Sequence, residues 1–141
     1  MFLVGFPLLI IALAFYNMIA FLMPGLNWTD KLVTLRLMSG TEWTMTLGDA
    51  LVAGTLFLLF IEVVKAAGAK SVIDHLLSFL VFGAALAEFL LIPLAATSTF
   101  AVLLAICFVD VIGGLAIRLR IARQMRPAEV HREHAPDRAE I

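Results

Sequence analysis

Four long stretches of the chain carry almost only apolar side chains, and the polar residues collect between them. They run over about 2–23, 47–67, 72–92 and 97–117. A hydrocarbon core about 30 Å thick is crossed by roughly 20 residues of helix, so each stretch is predicted to span a bilayer. The first is uncharged, with Tyr16 and Asn17 its most polar members. The second carries Glu62 and Lys65 near its end, the third Glu88 and the fourth Asp110. No basic segment precedes the first stretch, and no small-x-small site follows it before Met23-Pro24-Gly25, so it is expected to be retained rather than removed as a signal peptide.

Punctuation between the stretches agrees with these limits. Thr46 to Asp49 and Ser71 to Asp74 both read as Ser/Thr-x-x-acid, the pattern that caps a helix start. Asp49 and Asp74 are thereby given a local task, satisfying free N–H groups at the positive helix end. Pro24-Gly25 closes the first helix and Pro93 the third. The links after the second and third stretches are about five residues each, which predicts antiparallel neighbours. Between the first two helices, Leu35 and Leu37 alternate with Thr34 and Arg36. After Ser39-Gly40, Trp43 and Met45 alternate with Thr44 and Thr46, so a hairpin with a two-residue connection is expected.

The predicted fold class is therefore an all-α membrane protein. Residues 1–120 form an up-down bundle of four transmembrane helices, with a short extracytoplasmic β-hairpin between helices 1 and 2. The fourth helix is expected to continue to Arg126 and stop at Pro127. Residues 121–141 form a charged cytoplasmic tail, largely disordered beyond that proline.

Composition strengthens the membrane reading. Hydrophobic residues make up 62% of the 141, with a mean hydropathy of +1.04, against roughly 45–50% apolar in soluble domains. The 10 basic and 11 acidic residues nearly balance, which excludes nucleic acid as a partner. The lipid bilayer is the expected partner, together with self-association or docking onto a larger membrane complex. Orientation follows the basic residues beside the spans. Arg118, Arg120, Arg123 and Arg126 lie after the fourth span, and Lys65 and Lys70 between the second and third. Both groups fall on one side, so both termini are expected in the cytoplasm. Arg118, Arg120 and Arg123 are expected to meet headgroups there, with Trp28 and Trp43 as interfacial anchors on the opposite side.

Candidate chemistry reduces to the polar groups within the apolar slab. A charge at the bilayer centre costs about 2.5–3.5 kcal/mol, so these groups must face protein or water. At 1.5 Å per residue they fall into two layers. Glu62, Lys65 and Asp110 lie toward the cytoplasm, and Asn17 and Glu88 toward the outside. Glu88 shares a face with Ala84 and Ala85, and Asp110 shares one with Cys107, Gly113 and Gly114, so both acids are expected to point at neighbouring helices. Glu88 is expected to be neutral or bonded to Asn17 or Tyr16. These groups serve either as interhelical glue in a non-enzymatic accessory or scaffold subunit, or as carriers in a small oligomeric channel or proton-coupled transporter.

No cofactor and no metal are predicted. Cys107 is the single cysteine, His75 is expected at the cytoplasmic interface, and no phosphate loop or nucleophile motif is present.

Four spans in so short a chain resemble the small multidrug-resistance exporters in architecture. That family keeps its essential glutamate in the first span, where this chain has none, so its activity is not carried over. The stretch Ser39-Gly40…Trp43-Thr44…Gly48-Asp49, followed by Glu62-Val-Val-Lys65, is similar to small four-span inner-membrane proteins of proteobacteria. The resemblance covers about half the chain and implies a location in a bacterial inner membrane without implying an activity.

Overall fold

Thr46 and Asp49 start the first long helix through a reciprocal cap. In the computed structural model, which describes residues 7–66 and 72–133, Asp49 Oδ2 accepts from the Thr46 N–H at 2.9 Å and from the Thr46 hydroxyl at 2.8 Å. Thr46 Oγ1 accepts from the Asp49 N–H at 3.2 Å. The incoming loop satisfies two further donors of the first turn. Leu47 N–H reaches the Asp30 carbonyl and Gly48 N–H the Trp28 carbonyl, both at 2.9 Å. Helix starts leave such groups free, and here the loop and the cap are built around them.

The elements in chain order are α1 (Leu9–Leu22), β1 (Lys31–Arg36), β2 (Glu42–Thr46), α2 (Leu47–Ala66), α3 (Val72–Leu91), a short 3-10 turn (Pro93–Ala95) and α4 (Ser98–Glu133). Among the described residues, three helical stretches are long and apolar enough to cross a membrane: Leu47–Lys65, Ile73–Leu91 and Ser98–Ile117. Helix α1 begins at Leu9, just after Pro7, so the expected first span is helical over 14 residues; residues 1–6 lie outside the described set. Large apolar side chains cover the exterior of the helices. Leu91 is 79% exposed, Leu22 73% and Phe57 65%, a surface suited to hydrocarbon rather than water.

Helix α4 is the central element. It packs along both α2 and α3, and α1 rests mainly on α2 and only lightly on α3. The expectation that α2 and α3 are neighbours is therefore corrected: among the described residues their main contacts are with α4, not with each other. Chain reach permits this. Five residues extend about 17 Å, whereas helices 8–10 Å apart put a diagonal pair only about 13 Å from each other. A second correction concerns the end of α4, which runs through Pro127 to Glu133 instead of stopping there. Residues 134–141 lie outside the described set.

The hairpin forms as expected, with a different connection. The register pairs Arg36 with Glu42, Leu35 with Trp43, Thr34 with Thr44 and Val33 with Met45, and an irregularity separates Val33 from Lys31. Leu37 N–H bonds to the Thr41 carbonyl and Gly40 N–H to the Leu37 carbonyl, both at 2.9 Å. The loop is thus Met38-Ser39-Gly40, three residues rather than two, with Gly40 at φ 85°. A turn followed by one left-handed residue closes such a loop, and glycine enters that region without steric cost.

The core joins Leu9, Leu13 and Tyr16 of α1, Val81 and Ala85 of α3, Ala95 of the turn, and Phe100, Leu103, Ile106 and Cys107 of α4. At the hairpin end, α2 and α4 approach so closely that a Cβ on Gly48 would lie 2.6 Å from Thr99 Oγ1 and 3.1 Å from the Trp28 carbonyl oxygen. Gly48→Ala is expected to lower stability by about 1–3 kcal/mol through this overpacking. Gly54, whose Cβ would meet nothing within 4 Å, is the matched control: alanine there gains up to about 1 kcal/mol of helix propensity. Thermal melts of both variants in detergent check the pair. Equal melting temperatures would refute the close contact.

Candidate functional site

The polar groups within the helices do fall into two layers, and the two are built differently. At the end away from the hairpin, Glu62 of α2 is 3% exposed and Asp110 of α4 is 4% exposed. Glu62 Oε2 accepts from the Leu8 N–H at 3.2 Å, which ties α2 to the start of α1. The same oxygen pairs with Lys65 Nζ at 3.4 Å, one helical turn on. Asp110 lies on the buried face of α4 with Leu103, Ile106, Cys107 and Val111, facing neighbouring helices as expected, and it is also partnered.

On α3, Asp74 is buried in the first turn and engaged; its expected cap partner Ser71 lies outside the described residues. His75, expected at the cytoplasmic interface, lies in the first turn of α3. It packs across α4, where a Cβ on Gly114 would lie 2.7 Å from its Nδ1. That nitrogen and Ser78 Oγ are buried without a hydrogen-bond partner. In this layer Glu62 joins α2 to α1.

At the hairpin end, Tyr16 is the hub, a role the sequence reading did not assign. Its ring stacks on Trp28 at 4.3 Å and meets Phe100 edge-on at 4.7 Å, and Phe100 in turn stacks with Phe89 at 6.2 Å. The Tyr16 hydroxyl donates to the Leu94 carbonyl at 2.9 Å. The Thr97 hydroxyl, 2.7 Å away, is then left to donate to Tyr16, while Thr97 Oγ1 accepts from the Phe100 N–H at 3.1 Å and caps α4. Trp28 is accordingly packed against the core, while Trp43 stays exposed on β2. Arg120 is exposed on α4; the side chains of Arg118 and Arg123 are outside the described set.

Because the Tyr16 hydroxyl is committed to Leu94 and Thr97, it does not meet Glu88. Neither does Asn17. Asn17 Oδ1 and Glu88 Oε1 are each shielded from solvent and without a hydrogen-bond partner. Both line an open groove of about 610 Å³ between α1 and α3, bordered by Phe21 of α1, by Ala84, Ala87 and Leu91 of α3, and by Ile92. The groove lies between two helices that touch only lightly.

The two layers are separated along α1, α3 and α4 by close-packed apolar residues: Leu13 on α1, Val81 and Ala85 on α3, and Leu103 on α4. From Ser78 to Glu88 the separation along α3 is about 15 Å. No group of three or more His, Cys, Asp or Glu side chains suited to a metal occurs among the described residues. Comparison with protein-family models, with curated proteins and with solved structures yields no match.

Proposed function

We propose that the chain is a four-span integral membrane protein of a bacterial inner membrane, with both termini in the cytoplasm and the hairpin outside. In this reading it is a non-enzymatic scaffold or accessory subunit, and the α1–α3 groove seats another transmembrane helix. The observation that carries the reading is the α1–α3 groove itself, which sets the polar residues Asn17 and Glu88 into the lining of a cleft on an otherwise apolar exterior. Hydrocarbon offers no hydrogen bond, and a polar group left unmet there costs several kcal/mol. A neighbouring helix removes that cost, and Ala84 and Ala87 let its backbone come close. The far layer fits the same role, since Glu62 already serves helix packing. A proton route between the layers finds no support in the apolar packing that divides them.

Photocrosslinking in native membranes tests the proposal. A benzophenone side chain at position 87 is expected to crosslink to protein, and one at Phe57, on the exposed face of α2, to lipid. Glu88→Leu is expected to reduce the protein crosslink at position 87 about tenfold, the size of roughly one to two interhelical hydrogen bonds. Crosslinks to lipid alone at both positions would refute a helix seat.

A further inference from the structure

We infer that the β-hairpin lies against the leaflet on its own side of the membrane, one face set among the lipid headgroups and the other toward water. The inference rests on the chain crossing a membrane and is independent of what the α1–α3 groove holds. It extends the anchoring expected of Trp43 to a whole face of the hairpin. Successive strand residues point to opposite sides, and the Thr34 and Thr44 hydroxyls, 3.1 Å apart, show which residues share one side. That side carries Thr34, Thr44, Arg36 and Glu42. The other carries Val33, Leu35, Trp43 and Met45, and Leu37 continues it into the loop. Val33, Leu35, Leu37 and Trp43 are all exposed, so the folded chain leaves this apolar face largely uncovered.

Position identifies the cover. The apolar part of α2, Leu47–Lys65, is about 28 Å long, close to the thickness of a hydrocarbon core, so Leu47 stands at the edge of that core. β2 runs into α2 without a linker, Thr46 ending one and Leu47 beginning the other. The base of β1 is held at the same level, because the Leu47 and Gly48 N–H groups bond to the Asp30 and Trp28 carbonyls. Trp43 therefore lies within about 13 Å of the hydrocarbon edge at any tilt of the hairpin. The tether brings the bilayer surface to this face in every copy, with no association step. Tryptophan is favoured at headgroup level, and an element with one apolar and one polar face lies in that plane. Lys31, exposed at the base of β1, stands at the depth of anionic headgroups. The outer edges of this two-stranded sheet keep it in the hydrated interface, since hydrocarbon offers their N–H and C=O groups no partner.

Fluorescence in phosphatidylcholine–phosphatidylglycerol vesicles tests the placement. The full-length chain, with the buried Cys107 replaced by alanine, carries one cysteine labelled with nitrobenzoxadiazole. Thr34→Cys and Leu35→Cys set the probe at one height on opposite faces of the hairpin, and Phe57→Cys sets it on the exposed face of α2. Spin-labelled lipid is expected to quench the probes at 35 and 57. Iodide, present on both sides of the bilayer, is expected to quench the probe at 35 about tenfold less than the probe at 34, as for a group held about 5–10 Å inside the interface. The parent chain carries the same test without a label: brominated lipid is expected to quench the emission that Trp43→Phe removes. Equal iodide quenching at 34 and 35 overturns the inference. So does a probe at 35 that is hidden from iodide yet untouched by spin-labelled lipid, which would mark a protein on this face, a second copy included. In either event a lipid-quenched probe at 57 leaves the membrane reading standing, and a probe at 57 beyond the reach of spin-labelled lipid removes both.

Discussion

Replacing Tyr16 with alanine is expected to lower the stability of the protein by about 3–5 kcal/mol, the cost of removing a large buried aromatic side chain. The side chain is fully buried, sits between Trp28 and Phe100, and holds Leu94 and Thr97 through its hydroxyl. Tyr16→Phe separates the two contributions. It keeps the ring contacts and strands the Leu94 carbonyl, at about 1–3 kcal/mol. Denaturation in mixed micelles, followed by circular dichroism, measures both variants against the parent. If Tyr16→Phe is as stable as the parent, the hydroxyl chain from Phe100 to Leu94 is not structural. If Tyr16→Ala loses less than 1 kcal/mol, the aromatic cluster does not anchor α1.

Glu62→Leu is expected to cost about 3 kcal/mol. Breaking a buried ion pair by removing one partner typically costs about 3–5 kcal/mol. The lower end applies because the Lys65 side chain keeps 24% of its surface exposed and can extend its amine outward. Part of the loss is the Leu8 N–H, which would then lack the acceptor it has at 3.2 Å. Glu62→Gln retains an oxygen for that N–H and is expected to lose about 1 kcal/mol. The same micelle denaturation checks this ordering. A Leu variant as stable as the Gln variant would show that Glu62 does not secure the start of α1.

Much of the secondary structure was legible because local rules set it. The starts of α2, α3 and α4 follow the apolar runs, and the Thr46–Asp49 cap is read from four adjacent residues. The hairpin was legible from alternation, but its loop was not. Ser39-Gly40 resembles a two-residue turn, and only the bond between Leu37 and Thr41 makes it three.

Arrangement in space was less legible. Link length alone placed α2 beside α3, whereas both pack on α4. The layers of the candidate site could be read from helical rise, yet the contents of each layer could not. Glu62 was placed with Lys65 correctly because they lie three residues apart. Its bond to Leu8 spans 54 residues, and nothing local announces it. Tyr16 was passed over for the same reason. Glu88 was expected to meet Asn17 or Tyr16, since all three share a level. The structure turns Tyr16 toward Thr97 and leaves the other two unbonded in the lining of the α1–α3 groove, a matter of helix rotation that sequence spacing does not determine.

The contacts of the Tyr16 hydroxyl also bear on the order of assembly. They close over separations of 78 and 81 residues, so their acceptor and donor leave the ribosome long after α1 does. At about 5–20 residues per second, α1 waits roughly 4–16 seconds for its final partners. Through that interval it can pack on α2, its main helical partner, but not on the turn and α4 that hold its tyrosine. A nascent chain arrested before Thr97 would therefore hold its first helix unlatched, open to quality-control proteases that the finished protein resists.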